Sequence, residues 1–275
     1  MAVHDLSGFG RCSLSVALPL LSACGATCVC LPTAVLSTHT GGFTGYTFRD
    51  LTDDLAPMAA HWKREQIAFD ALYTGYMGSE KQLGIVEGIL RDFCAPGVLT
   101  VVDPVLGDEG RLYSGLTNGM VAGMRRLCAM ADVIVPNMTE AALLLDRPYQ
   151  NGEMGEAEIL SLCRALSALG PKHVVLTGVM PEKGRIGAAC YDGKCLTLSL
   201  TERVPACFDG TGDVFCSVLT GAMLKGLPLQ KAAAAAADFT HDCIALTLGR
   251  GGDKHQGVDF EELLYTLHQR LEDAR

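Results

Sequence analysis

At Gly210-Thr211-Gly212-Asp213, two glycines, a threonine and an aspartate open an apolar helix that continues through Val214, Phe215, Val218, Leu219, Met223 and Leu224. Successive backbone N–H groups at a helix start bind anions, and glycines let a phosphate approach closely. The carboxylate is the odd member of the set, because it repels what the amides attract. Capping alone accounts for an aspartate there, at about 0.3–1 kcal/mol against the helix dipole. Phosphoryl transfer gives a second account. Asp213 would orient an acceptor hydroxyl and take its proton late, since the loose transition state depends mainly on positioning and charge neutralisation. A second negative charge at about 4 Å costs roughly 4 kcal/mol at an effective dielectric of 20, more than the dipole returns. A cation must therefore share the site, and further carboxylates should lie near it.

Other phosphate loops do not fit. "SGFGRCS" begins like a dinucleotide fingerprint with Gly8 and Gly10, but Ser13 stands where the third glycine belongs. "GAACYDGKC" has the wrong glycine spacing for a P-loop, and Cys195 replaces the Ser/Thr that would hold magnesium.

The elements that must position Asp213 alternate. Strand-like runs are Ala2-Val3-His4, Thr27 to Leu36, Ala71 to Tyr76, Val98 to Asp103, Asp132 to Val135 and His173 to Thr177. Helical periodicity lies between them near 11–24, 79–94, 115–130, 139–146 and 156–169. Such alternation with nearly all-apolar strands predicts a parallel sheet covered on both faces. "RIGAACYDGKCLTLSL" then reads as two strands about Asp192-Gly193, a type I′ hairpin signal. A long helix across Ala232 to Ala237 and an amphipathic helix from about Asp259 to Leu271 complete the chain. With no repeat and no linker-like stretch, residues 1–275 read as one α/β domain. Ligands in such sheets sit beyond the carboxyl ends of the strands.

With 49% hydrophobic and 19% charged residues over 275, the chain can bury a large core. Its net charge of -9 argues against nucleic-acid or anionic-membrane partners. Ser13 to Thr38 lacks charge, but Pro19, Gly25 and Pro32 interrupt it and Asp5 lies upstream. We read a buried helix and strand there, with no targeting signal and no membrane span. The twelve cysteines are scattered along apolar segments, which suits reduced core thiols in a cytoplasm. Cys24, Cys28 and Cys30 lack a second ligand pair at zinc spacing.

"GTGDVF" with its helix resembles the signature of the ribokinase-like small-molecule kinases. Over essentially its whole length the chain is similar to the pyridoxal (pyridoxine, pyridoxamine) kinases. The supporting stretches are "HDLSGFGRCSL", "STHTGGFTG", "TGYMGS", "VVDPVLGDEGRLY" and "VPNMTE", in that order before "GTGDVF". The resemblance implies a three-layer sandwich: a mainly parallel central sheet, helices on both faces and an antiparallel edge hairpin. It implies ATP-dependent phosphorylation of the 5′-hydroxymethyl group of vitamin B6, with Mg2+, usually a monovalent cation (K+ or Na+), and a homodimer. By the same resemblance Asp213 is the base, and Gly210, Thr211 and Gly212 form the anion hole. Asp103 stands near magnesium and the phosphates. Asn137 and Glu140 organise the metal, and Thr177 lies by the nucleotide. Asp5, Thr40 and Tyr76 surround the pyridine ring, with His39 beside them.

Structural readings stand beside these. Asn137 and Glu140 have capping-box spacing, Asp103-Pro104 would end a strand, Tyr76 would fill a core, and His39 would be satisfied within its loop. Many pyridoxal kinases carry serine at the Asp5 position. There the D-x-S-G run is closer to hydroxymethylpyrimidine kinases, the alternative enzyme; many of those, however, have cysteine at the Asp213 position and Gln-Asn-Thr in place of Thr38-His39-Thr40. A non-catalytic B6-binding protein is the alternative outside enzymes. The polar, glycine-rich stretch Thr40 to Thr52 is expected to fold over the substrate. The first strand reads short, clipped at Met1 or begun upstream.

Overall fold

The computed structural model describes residues 1–274. The chain runs β1 (Ala2–Ser7), α1 (Leu14–Ala23), β2 (Cys30–Leu36), β3 (Phe48–Asp50), α2 (Thr52–Arg64), β4 (Ala71–Thr74), α3 (Glu80–Phe93) and β5 (Leu99–Val102). A small hairpin, β6 (Gly107–Asp108) and β7 (Arg111–Leu112), leads to α4 (Asn118–Ala129), β8 (Val133–Ile134), α5 (Met138–Leu145) and α6 (Glu156–Ser167). Then come β9 (His173–Val179), β10 (Arg185–Tyr191), β11 (Leu196–Glu202), α7 (Thr211–Leu224), α8 (Leu229–Gly249) and α9 (Leu264–Asp273).

One nine-stranded sheet has the order β11-β10-β9-β8-β5-β4-β1-β2-β3. From β9 across to β2 every neighbour is parallel; β3 at one edge and β10–β11 at the other are antiparallel. Alternation along each strand sorts the two cores. Val3, Leu72, Val102, Ile134 and Val174 pack on the face of α3 and α4, whereas Ala2, Tyr73, Val101, Val133 and Val175 pack on the face of α1, α7 and α8. Cys24, Cys128, Cys163, Cys190, Cys216 and Cys243 are buried among them as small hydrophobes. No helix among the described residues is long and apolar enough to cross a membrane.

The three-layer architecture is the expected one; several local details differ. The first strand extends to Ser7, because its parallel pairing resumes at Leu6↔Val35 after a one-residue slip beyond His4↔Pro32. Asp192-Gly193 does not form a type I′ turn. Tyr191 pairs with Leu196, only Gly193 has positive φ, and the Asp192 carboxylate closes the longer loop by accepting from the Lys194 and Cys195 N–H groups at 2.9 and 2.8 Å. The paired positive φ values that such a turn needs fall instead at Glu109 (49°) and Gly110 (78°), between β6 and β7. The stretch expected to be loop from Thr40 to Thr52 ends in β3 and the start of α2.

Strand order reverses at β1, which has β2 on one side and β4 on the other. That switch point opens a crevice beyond the carboxyl ends of β1 and β4.

Candidate active site

Helix α7 begins at the crevice. Gly210 is its N-cap with φ 77°, and a Cβ there would collide with the Arg11 carbonyl, so only glycine lets the chain turn this tightly. The space around Gly212 is open, leaving room for a ligand against the first-turn amides, which lack partners within the helix. Asp213 follows in that first turn. Gly210 to Asp213 lie on the wall of a 940 Å³ cavity that also includes Asp5, His39, Thr40, Tyr76, Asn137 and Thr177. Residues predicted from six separate stretches therefore meet in one space.

The Asp213 carboxylate is held on both oxygens. Oδ1 lies 2.9 Å from His4 Nε2, and Oδ2 accepts from the Ser13 N–H at 2.8 Å. Ser13 has φ 63° and ψ -135°, an unusual conformation for a residue with a side chain, and it sets that N–H toward the acid. His4 is 2% exposed. Its Nδ1 lies 3.1 Å from Asp5 Oδ1, and a Cβ on Gly75 would overlap its ring. Burial alone would lower the imidazole pKa; the charges and hydrogen bonds of Asp213 and then Asp5 outweigh it and lift the value to about 10.

Asp5 lines the cavity, but its oxygens are engaged. Oδ1 also accepts from the Ser13 hydroxyl at 2.6 Å and Oδ2 from Ser7 at 2.8 Å. Burial pushes its pKa up, yet His4, Ser13 and Ser7 together hold it below the ordinary value. A carboxylate so occupied faces the strand network more than the open space.

Asp103 follows β5, its N–H donating to Thr74 O at 3.0 Å. Burial, then the charges of Glu140 and Asp213, raise its pKa well above the usual range. Glu140 is raised to about 7, chiefly by burial. Asn137 and Glu140 do form the capping box of α5: Glu140 N–H donates to Asn137 Oδ1 and Asn137 N–H to Glu140 Oε2, at 2.9 and 2.8 Å. Glu140 Oε1 accepts from Leu106 N–H, and Asn137 Nδ2 donates to Gly107 O. The capping-box reading of the pair is the one observed, and Asn137 additionally lines the cavity.

Among the described residues no three His, Cys, Asp or Glu side chains converge as a ready metal cage. Buried carboxylates with raised pKa values nevertheless suit a hard divalent cation that keeps water and takes phosphate oxygens as its other ligands. Asp103 and Glu140, the carboxylates expected to serve such an ion, are buried and, unlike the other expected site residues, do not line the cavity.

His39 is also buried within its loop, Nε2 lying 2.6 Å from His255 O and Nδ1 accepting from Gly41 N–H. Burial, followed by the charges of Asp5, Tyr46 and Asp50, raises the Tyr76 phenol to about 12, so it stays protonated at the cavity wall. The sequence reading missed His4, Ser13, Asp209 and His255. The signal for His4 was present: an ionisable residue in an apolar buried strand requires partners.

The nine-stranded, mainly parallel sheet between helical layers, with an acid in the first turn of α7, is the architecture of the ribokinase-like small-molecule kinases. The chain belongs to the phosphomethylpyrimidine kinase family, whose model matches residues 18–259. A pyridoxine/pyridoxal/pyridoxamine kinase from Bordetella avium is 30% identical over 268 residues, 90% of this chain and 84% of that protein. Among solved structures, a Bacteroides thetaiotaomicron protein provisionally described as a phosphomethylpyrimidine kinase, crystallised with pyridoxal, is 42% identical with a TM-score of 0.92. It covers 97% of this chain and 94% of its own. Pyridoxal kinase from Lactobacillus plantarum is 37% identical with a TM-score of 0.90, over 99% and 97% of the two chains. The chain is accordingly a phosphotransferase of the pyridoxal kinase type.

Proposed function

We propose that this enzyme transfers the γ-phosphoryl group of ATP to the 5′-hydroxymethyl group of pyridoxal, pyridoxine or pyridoxamine. The observation that carries the reading is Asp213, fixed on both oxygens at the mouth of α7 beside open amides and facing a large cavity. The likeness to a protein crystallised with pyridoxal supports the acceptor.

In this reading Asp213 accepts the hydroxyl proton as the oxygen attacks phosphorus. The Gly210, Thr211 and Gly212 amides take up charge on the transferring group. Thr40, Tyr76 and His39 bound the acceptor, with Asp5 behind them, while Thr177 and Asn137 bound the nucleotide. Asp103 and Glu140 are the residues to hold Mg2+, which neutralises phosphate charge when bound; a monovalent cation and a homodimer complete the reading.

The matched family is described by a pyrimidine substrate, phosphomethylpyrimidine, which keeps a second acceptor, hydroxymethylpyrimidine, in play. Purified protein assayed with Mg-ATP against the B6 vitamers and hydroxymethylpyrimidine separates the two. Phosphorylation of at least one vitamer is the expected result; turnover of the pyrimidine alone moves the assignment to the second acceptor.

A further inference from the structure

His4 stands at the switch point of the sheet, where an apolar side chain would pack more cheaply than a ring flanked by two acids. We infer that His4 is a positioning residue for the phosphoryl transfer: its Nε2–H holds the Asp213 carboxylate in the orientation that meets the acceptor hydroxyl, and Asp5 holds His4. The inference rests on the kinase reading, in which Asp213 takes the proton.

The placement of the proton follows from geometry. Nδ1 lies 3.1 Å from Asp5 Oδ1, and it also lies 3.1 Å from the Asp5 N–H and 3.2 Å from the Tyr76 N–H. If Nδ1 accepts from those amides the ring is neutral and its proton is on Nε2. If Nδ1 donates to Asp5 while Nε2 faces Asp213, the ring is the cation and both nitrogens are protonated. In either state Nε2 donates to Asp213 Oδ1. The two amide donors at Nδ1 favour the neutral ring with its proton on Nε2, while the flanking acids favour the cation; the donor to Asp213 is the same in both.

The ring is enclosed from all sides. Asp5 faces it from its own strand, Asp213 from α7 and Tyr73 edge-on from β4 at 6.4 Å, with the Asp103 charge acting from the end of β5. Gly75, after β4, gives the imidazole its space. With Ser13 N–H on the other oxygen, the carboxylate cannot rotate without losing a donor.

The test compares H4Q and H4L in the full chain with Mg-ATP and pyridoxal. Glutamine retains an N–H donor without the ring; leucine retains bulk without a donor. H4L is expected to lose about 10²-fold in kcat with both KM values within about threefold, and H4Q to lose about tenfold or less. Unchanged kcat in H4L, a loss confined to KM, or equal losses in both variants overturns the inference. Should H4L fail to fold, ring 15N NMR of the wild type and D213N decides. A protonated Nε2 whose signal moves in D213N supports the contact, and an Nε2 without a proton, or one unmoved, refutes it. Lack of any kinase activity in the wild type refutes the kinase reading instead, and the NMR arm still reads the His4–Asp213 contact by itself.

Discussion

His4 Nε2 and Asp213 Oδ1 are 2.9 Å apart across 209 residues of sequence. The first strand of the sheet and the first turn of α7 are thereby joined at the one point where chemistry is expected. Together they make an acid whose orientation is set by the core of the protein rather than by a mobile surface, and such precision is what positioning-dominated catalysis requires.

Asp213→Asn keeps the size of the side chain and removes its capacity to accept a proton. Turnover with pyridoxal is expected to fall by about 10²–10⁴-fold, the usual range for a general base, while ATP affinity stays within about threefold. Steady-state kinetics and a nucleotide-binding titration measure the two separately. Near-normal turnover would remove Asp213 from the role of base.

The linkage of His4 to stability has a definite sign. Its folded pKa of about 10 lies above the ordinary imidazole value of 6.5, so its contribution is complete below about pH 6.5 and disappears as pH rises through 10. The Tm difference between wild type and H4Q is therefore expected to be largest below about pH 6.5 and to shrink steadily through neutrality toward pH 10. A difference that is flat from about pH 6 to pH 10 would mean that the ring carries no extra proton.

Glu140 has the same sign in a lower window. Burial raises its carboxyl from 4.5 to about 7, and Asp103 shifts in the same direction, so stability present in acid is lost as pH climbs through that interval. A divalent cation favours the charged carboxylates and reverses the loss. Mg2+ is expected to raise Tm more at about pH 7.5 than at about pH 5, and Glu140→Gln is expected to flatten the contrast. Equal Mg2+ effects at both pH values would place the ion elsewhere.

The parallel sheet was legible because buried parallel strands such as Val98 to Val102 read as short, mostly apolar runs, and the "DPV", "PN..E" and "GTGD" segments fall at strand ends or helix starts. Helix α2 was not. Pro57 and the pair Asp53-Asp54 obscure its buried positions, Leu55 and Ala59. The type I′ turn was assigned to the wrong Gly-containing pair, since dipeptide composition does not tell how strands register. For the site, the acids were legible by motif but their partners were not. Asp5 reads as a ligand residue on its own, and only the slip in the β1–β2 register and the turn at Ser13 reveal how fully its oxygens are engaged. The His4–Asp213 contact depends on the crossing of a strand and a helix from opposite ends of the chain, which periodicity does not encode.

The segment after β2 carries the last prediction. Phe43 meets the rings of Phe9, His39 and His255 edge-on at centroid distances of 6.0, 5.0 and 6.0 Å. His255 Nδ1 lies 3.0 Å from Asp209 Oδ2, and Asp209 immediately precedes the turn from Gly210 to Asp213. Gly42 has φ 74°, and a Cβ there would overlap the His255 imidazole. Gly42→Ala should therefore hold this segment off the turn without touching Asp213. Water is then less well excluded from the phosphoryl group, so ADP formation without acceptor phosphorylation is expected to rise and the acceptor KM to increase about five- to tenfold. Measuring ADP and phosphorylated product in parallel reads both effects. A variant with wild-type coupling and wild-type KM would show that the segment is a passive wall, and the exclusion of water would then have to come from the acceptor itself.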